Sequence, residues 1–407
     1  MKAVVFHGIG DIRVDDVPVP TIQDPKDAII RVTASAICGT DLHMVRGTEA
    51  QMVPGTIMGH EAVGVVEQVG SDVKDIKVGD RVVVTSSITC GYCEHCKEGR
   101  YDLCLNANPN GPRGVSAFFG GPKPSGPFNG LQAEKARIPF ADNVLVKLFD
   151  NVTDDQAILL SDIFPTAYYG ADLAQIQTGN TVAIFGCGPV GLFAILSAQL
   201  MGAGRIFAVD AIPSRLELAA KLGAEAINYD KEDPVSTIKR LTGKIGVDRV
   251  IDAVGVDANR PHGGIIQQAK SLLQTKTFNQ QKQQVEPEKN PQGDNFHPGD
   301  APSQALLWEA EVVAKGGTIA IIGVYPETVQ VFPLGVVMNK NVTLTMGHCP
   351  HRKYIPELMS LVSTGMVNPT QILTQHASMT SALDAYKAFD EREDGWVKVE
   401  LVPATMA

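Results

Sequence analysis

The 407-residue chain has no run approaching the ~18 consecutive apolar residues of a membrane span. It also lacks a basic excess: 35 Lys and Arg stand against 45 Asp and Glu, for a net charge of −10. Nucleic-acid binding, which wants a positive patch, is therefore disfavoured, as is an anionic membrane partner. The apolar start Met1-Lys2-Ala3-Val4-Val5-Phe6 is broken by His7-Gly8 before a signal-peptide core develops, which predicts a cytoplasmic protein. No internal repeat is visible. The seven cysteines are an odd number, and four of them are bunched as Cys90, Cys93, Cys96 and Cys104. Without a secretion signal, such bunching points to metal binding rather than to disulfides.

What is present divides into two patterns. Short β-branched runs at Ala28–Val32, Ala62–Val66 and Arg81–Val84, punctuated by Gly70-Ser71 and Gly79-Asp80, predict a compact, barrel-like β domain over the first ~150 residues. Residues 105–130, dense in Gly, Pro and Asn, read as an extended surface loop. From Thr181 apolar strands alternate with helix-period segments: Thr181–Phe185, Pro189–Met201, Arg205–Asp210, Arg215–Leu222, Asp248–Val254 and Thr318–Ile322. That alternation predicts a parallel sheet with helices on both faces. After residue 330 the segments Asn341–Met346, Tyr354–Ser363 and Val397–Val402 are expected to return to the first domain. The domains are thus 1–163 with 331–407, including a metal lobe at 88–106, and 164–330 with an insertion at about 257–303. Within that insertion, Lys276–Pro302 holds five Gln, four Pro and few aliphatics. It reads as a solvated or subunit-contact loop, or else as a cover over the adenosine end of a cofactor.

Three constellations carry chemistry. The run Cys90-x-x-Cys93-x-x-Cys96-x7-Cys104 supplies four thiolates from one short lobe, the complement of a closed tetrahedral zinc site. Free or redox-active thiols and a nucleic-acid zinc finger are its rivals, and the acidic Glu94 and Glu98 count against the finger. His95 is surplus to a filled shell. Second, Gly186-Cys187-Gly188-Pro189-Val190-Gly191 follows an apolar strand and opens a helix. In that context Gly186 allows the turn, Gly188 lets backbone approach a pyrophosphate and Gly191 permits close helix packing. Asp210 closes the next strand, where a carboxylate accepts from ribose hydroxyls and repels a 2′-phosphate, so NAD is expected over NADP. Arg215 is read as stacking near the adenine, with NADP the alternative. Third, Cys38-Gly39-Thr40-Asp41-x-His43 and Gly59-His60-Glu61 gather a thiol, imidazoles, carboxylates and a hydroxyl in one stretch.

Together these motifs resemble the zinc-containing medium-chain dehydrogenase/reductase family of alcohol, polyol and threonine dehydrogenases, over almost the whole chain. The two-Cys, one-His zinc site of alcohol dehydrogenase is a known three-ligand example. The resemblance implies a Rossmann, doubly wound α/β domain beside a β-rich GroES-like catalytic domain. It implies two zinc ions per chain, one catalytic and one structural, NAD as cofactor, and a dimer or tetramer. Cys38 and His60 correspond to catalytic-zinc ligands, Asp41 to a carboxylate orienting His60, and Glu61 to a neighbour that approaches the metal during ligand exchange. Thr40 and His43 correspond to a proton path through the nicotinamide ribose to solvent. The usual third ligand is a cysteine, but none lies between Cys104 and Cys187; Asp162, in Ser161-Asp162-Ile163-Phe164-Pro165-Thr166, takes its place. An aspartate here is similar to the glutathione-independent formaldehyde dehydrogenase subgroup, as is the long insertion. The same resemblance places Gly39, Thr166, Val254, Ile322 and Val324 beside the cofactor and Lys398 at its pyrophosphate. It leaves His348, Cys349 and His351 to the outer cleft or a subunit contact, and Cys187 as a small residue that fits its loop.

The implied activity is hydride transfer between a primary alcohol or aldehyde hydrate, formaldehyde-like, and NAD. Aldehyde dismutation with retained NAD, polyol or threonine oxidation, a zinc-free quinone-reductase chemistry and a non-enzymatic binding protein are the alternatives.

Overall fold

The computed structural model describes residues 1–262, 265–286, 298–329 and 332–403. The chain forms two compact units: Met1–Pro165 with the chain from His348 onward, and the intervening stretch from Thr166 to Gly347.

In the first unit the strand Ala28–Ile37 is central. It pairs antiparallel with Ala62–Val69, Val399–Val402 and Lys135–Ile138. The sheet continues through Arg81–Val84 to Leu145–Lys147 on one side, and on the other Gln375–Ser378 lies parallel to Val399–Val402. A separate hairpin joins Lys2–Gly8 to Asp11–Asp16. The unit's two larger apolar cores lie around Ile30, Val82, Phe119 and Leu145 and around Phe6, Leu42, Tyr386 and Leu401. The stretch 105–130 is irregular, as expected of a loop, but it is not merely superficial. Ala107, Ala117 and Phe119 are buried in the first core, because apolar side chains between the turns have core to pack against.

Among the described residues, the second unit holds six strands, all parallel, in the order Glu225–Asn228, Arg205–Asp210, Thr181–Phe185, Val247–Asp252, Val313–Ile321, Thr343–Met346. Two expectations are corrected here. The chain does not leave this unit at residue 331, because Thr343–Met346 extends the parallel sheet through the pairs Thr318↔Thr343 to Ile321↔Met346. The insertion is not simply a solvated loop either. Ile265–Val285 is a helix on which Phe278, Gln281 and Val285, spaced three and four apart, are buried. Glutamine is a good helix former, and Gln281 Oε1 accepts a hydrogen bond from Ser303 Oγ at 2.8 Å. Residues 287–297, where the expected adenosine cover would continue, lie outside the described residues.

Candidate active site

Sheet register brings the site together. Ser35 pairs with Ala62, and Ser35 Oγ donates to the Glu61 carbonyl at 2.8 Å. Cys38, just past one strand, therefore meets His60 and Glu61, just before the next. Val399 pairs with Ile37, which carries Lys398 to the same end. Asp162 arrives on a different element, at the C-terminal end of the helix Asp154–Ser161. Ser161 anchors that helix end: its Oγ donates to Val84 O (2.6 Å) and accepts from Ala62 N (3.1 Å), and its carbonyl accepts from Ser86 N (3.2 Å). With the backbone pinned, the Asp162 side chain turns inward rather than capping the helix.

Cys38 Sγ lies 3.6 Å from Asp162 Oδ2, and His60 Nε2 lies 3.4 Å from the same oxygen. One ligand atom from each of Cys38, His60, Glu61 and Asp162 falls within 4.8 Å of the others, and all four residues are buried. Cys38 is the N-cap of the helix Gly39–Arg46, and Asp41 Oδ2 accepts from its N–H at 2.9 Å. The other Asp41 oxygen faces His60 Nδ1 at 3.4 Å, as a carboxylate orienting that ring would. Gln132 holds Asp41 in turn (3.4 Å) and receives the Tyr386 hydroxyl (2.8 Å). Thr40 Oγ1 is 3.9 Å from Cys38 Sγ, and the Phe118 ring meets His60 edge-on at 6.3 Å between centroids.

The charge state of the cluster is distinctive. Burial pushes the Cys38 thiol up. Burial alone would also raise the Asp162 carboxyl, yet hydrogen bonds from His351 and His60 hold it well below the usual carboxylate range. His60 is held well above the usual imidazole value, because Asp41 and Asp162 outweigh its burial. Glu61 Oε2 is buried without a hydrogen-bond partner. Cys38, His60, Glu61 and Asp162 together offer mixed S, N and O donors, a set that fits a divalent ion such as zinc.

One placement is corrected, that of His351. Lys398 is fully buried, ion-paired with Glu61 and donating to Ile37 O at 3.0 Å. Its position beside the Val399↔Ile37 pair fixes it there. His351 does not belong to an outer cleft: it is buried, with Nε2 2.7 Å from Asp162 Oδ1 and Nδ1 3.1 Å from Ser87 Oγ. Nothing in the local sequence announces either contact, since each partner lies far away in the chain. His43 is also buried, at 4% exposure, so its path to bulk solvent is not direct.

A second cluster is local. Cys90, Cys93, Cys96 and Cys104 bring their sulfurs within 4.8 Å of one another, and none is in a disulfide. Backbone N–H groups of Tyr92 and Cys93 point at Cys90 Sγ (3.5 and 3.4 Å), and that of Cys90 at Cys104 Sγ (3.2 Å). Such donors favour thiolates, and the contact between Cys96 and Cys104 draws the Cys104 thiol down while pushing that of Cys96 up. His95 turns to Arg100 at 2.8 Å, leaving the four sulfurs to themselves.

Comparison with known proteins completes this picture. Residues 24–149 match the alcohol dehydrogenase GroES-like domain and residues 189–262 the zinc-binding dehydrogenase family. A zinc-type alcohol dehydrogenase-like protein of Bacillus subtilis is 37% identical, over 99% of this chain and 100% of its own. The chain belongs to the zinc-binding alcohol dehydrogenase family. A glutathione-independent formaldehyde dehydrogenase of Pseudomonas aeruginosa is 39% identical over 67% of this chain and 70% of its own. Among solved structures, the alcohol dehydrogenase of Thermus sp. ATN1 superposes with a TM-score of 0.78 at 34% identity, covering 99% of this chain and 100% of that one. This dehydrogenase is thus an oxidoreductase with a Rossmann-type parallel sheet and a GroES-like β domain. Among the described residues no helix is long and apolar enough to cross a membrane.

In the second unit of the dehydrogenase, the glycine loop follows the strand Thr181–Phe185. Gly186 has φ +87°, and a Cβ there would lie 2.9 Å from Ala253 O and from Val254 Cγ2. A Cβ on Gly191 would strike Gly186 O, whereas Gly188 faces open space except for Arg215 Nη1 at 3.8 Å. Gly188 is the N-cap of the helix Pro189–Leu200, with Pro189 and Val190 in its first turn, so the cradle fits a pyrophosphate. Asp210 Oδ2 accepts from Cys187 N (2.7 Å), and Oδ1 from Ala211 N (2.7 Å) and Ile212 N (3.0 Å). Cys187 is fully buried inside the loop. Ile322 and Val324 follow the strand Val313–Ile321; Ile322 packs against Gly170, and Val324 O accepts from Val256 N at 3.0 Å. Thr166 lies on the helix Ile163–Leu173 at the start of this unit. Gly39, in the first unit, has open space where a Cβ would stand.

Proposed function

We propose that this dehydrogenase transfers hydride between a small primary alcohol or aldehyde hydrate, formaldehyde-like, and NAD. One observation carries the reading: a carboxylate, Asp162, meets the thiol–imidazole pair of Cys38 and His60 at 3.6 and 3.4 Å. Zinc, when held by Cys38, His60 and Asp162, supplies a Lewis acid for a substrate oxygen, and NAD on the glycine loop supplies the hydride acceptor. A carboxylate in place of a second thiolate makes the donor set harder, which suits an oxygen-rich aldehyde hydrate. The glutathione-independent formaldehyde dehydrogenases of P. aeruginosa and of B. subtilis, 39% and 33% identical, support the same substrate class.

The remaining steps belong to the chain itself. Thr40, beside Cys38, positions the substrate hydroxyl and receives its proton, and His43 passes that proton on. Phe118 and the buried walls around His60 keep competing water out. Asp41 fixes the His60 ring. Gly186, Gly188 and Gly191 seat the pyrophosphate, with Thr166, Val254, Ile322 and Val324 alongside the cofactor. Asp210 selects a ribose with free hydroxyls, and Arg215 lies over the loop. The four-thiolate lobe holds a second, structural zinc.

A panel of short alcohols and formaldehyde, followed by NADH absorbance with zinc assayed in parallel, tests this. Turnover of formaldehyde that depends on NAD and on zinc is expected. Equal alcohol and acid produced without added NAD would replace the reading with dismutation, and activity in zinc-free enzyme would remove it. Asp210→Ala should raise the KM for NAD about 10-fold or more, the scale of one lost charge-assisted hydrogen bond. An unchanged NAD/NADP ratio in that variant would count against Asp210 as the selector.

A further inference from the structure

The two oxygens of Asp162 face opposite ways. Oδ2 points at Cys38 Sγ and His60 Nε2, at 3.6 and 3.4 Å, whereas Oδ1 is 2.7 Å from His351 Nε2. A carboxylate only accepts, so Nε2 carries the proton of that contact. In a neutral ring this leaves Nδ1 to accept from Ser87 Oγ at 3.1 Å. The Ser87 carbonyl is itself fixed by Thr85 Oγ1 at 2.7 Å. His351 opens the helix His351–Ser363 and is buried, so the ring has little room to turn away.

We infer that His351 is a positioning residue that makes Asp162 a one-oxygen metal ligand and so keeps a coordination position open for substrate. This rests on the reading of Asp162 as a ligand of the catalytic zinc. An aspartate with both oxygens free has two ways to spoil an open site: it binds through both oxygens, or it swings away. The short bond to His351 blocks both, because Oδ1 is already engaged and its direction is fixed. Ser87 keeps the imidazole in the tautomer that donates to Asp162. Relayed orientation of this kind is how partners behind the ligands tune a metal site, and its loss typically costs 10–100-fold in metal affinity. A histidine that merely filled the core would stabilise the fold without affecting the metal's environment.

The test uses purified holoenzyme carrying His351→Leu, His351→Gln, Ser87→Ala or Asp162→Asn. Zinc release to a chromophoric chelator is followed as two phases, and the visible spectrum is recorded after cobalt(II) replaces the catalytic zinc. His351→Leu should release catalytic zinc about 10–100-fold faster and alter the cobalt bands, with the four-cysteine phase unchanged. His351→Gln, whose amide N–H replaces the Nε2 donor, should stay close to wild type. Ser87→Ala should show a smaller acceleration in the same direction. Wild-type release and spectrum in His351→Leu, while Asp162→Asn changes both, would overturn the role of His351 alone. No change in Asp162→Asn would overturn the ligand reading and this inference with it. If His351→Leu does not fold, Ser87→Ala decides: faster release supports the relay, and wild-type release with a wild-type spectrum defeats it.

Discussion

The two cysteine-bearing clusters of this dehydrogenase are built on opposite plans. In the lobe, four like donors come from Cys90–Cys104, and local turns suffice to gather them. In the candidate active site, Cys38, His60, Glu61 and Asp162 come from three elements and are held from behind by Asp41, His351 and Lys398. Four like sulfur donors suffice for a closed tetrahedral shell, which would leave no place for chemistry. The other cluster mixes donors and ties most of them to a second residue. The difference teaches that a closed metal site needs only proximity, whereas a site kept open must have each donor's orientation imposed from outside.

Breaking the open cluster at its thiol should have the largest effect. Cys38→Ser should lower turnover by about three orders of magnitude or more, ~4 kcal/mol on the barrier. NAD affinity and the melting temperature should change little, as titration calorimetry and thermal unfolding would show. If turnover survives, the cluster is not where the chemistry happens. The mirror-image change in the lobe, Cys104→Ser, should do the reverse. One zinc equivalent is lost and the lobe loosens by several kcal/mol, while turnover per folded molecule is largely kept. Equal loss of activity in the two variants would erase the proposed division between open and closed sites.

A sharper cut separates donor from support. Glu61 and Lys398 are both fully buried and paired. Lys398→Met leaves a buried carboxylate without its cation, so stability should fall by about 3–5 kcal/mol. Adding Glu61→Gln should recover much of that loss, because the uncompensated charge is then gone. Additive losses in denaturant titrations of the single and double variants would mean that the pair is not energetically coupled.

The same contrast governs which features are legible in the amino-acid sequence. The four-cysteine run and the glycine loop are contiguous, so residue type and spacing are enough to read them. The parallel sheet is readable in part, because Thr181–Phe185 is a continuous apolar run, whereas Glu225–Asn228 carries no such run and goes unread. Asp162 stands out only because a cysteine is missing where the family usually has one. His351 and Lys398 defeat such reading for a physical reason: their partners, Asp162 and Glu61, are joined to them by sheet register and helix docking, which leave no local pattern. The helix Ile265–Val285 is hidden by glutamines that read as loop, although its buried positions keep helical spacing.

A third meeting of ligand-type side chains tests how much the thiol matters. Asp155, His376 and Glu400 also bring one donor atom each within 4.8 Å, but Asp155 and His376 are exposed and there is no sulfur. Glu400 is buried, and its carboxyl is pushed up to about 7, chiefly by burial and then by Asp155, with His376 pulling the other way. A carboxyl raised in the folded state holds its proton where the unfolded chain has already lost it. The folded protein therefore binds more protons between about pH 4.5 and 7. Its stability from this group is present below that window and declines as pH rises through it. Glu400→Gln cannot ionise, so it should flatten that decline by about 1–3 kcal/mol, measured as denaturant midpoints at pH 5 and 7.5. An unchanged slope would mean that His376 neutralises Glu400 as fully as a bound cation would. The cluster would then share with the active site the compensation of buried charge while still lacking a thiolate.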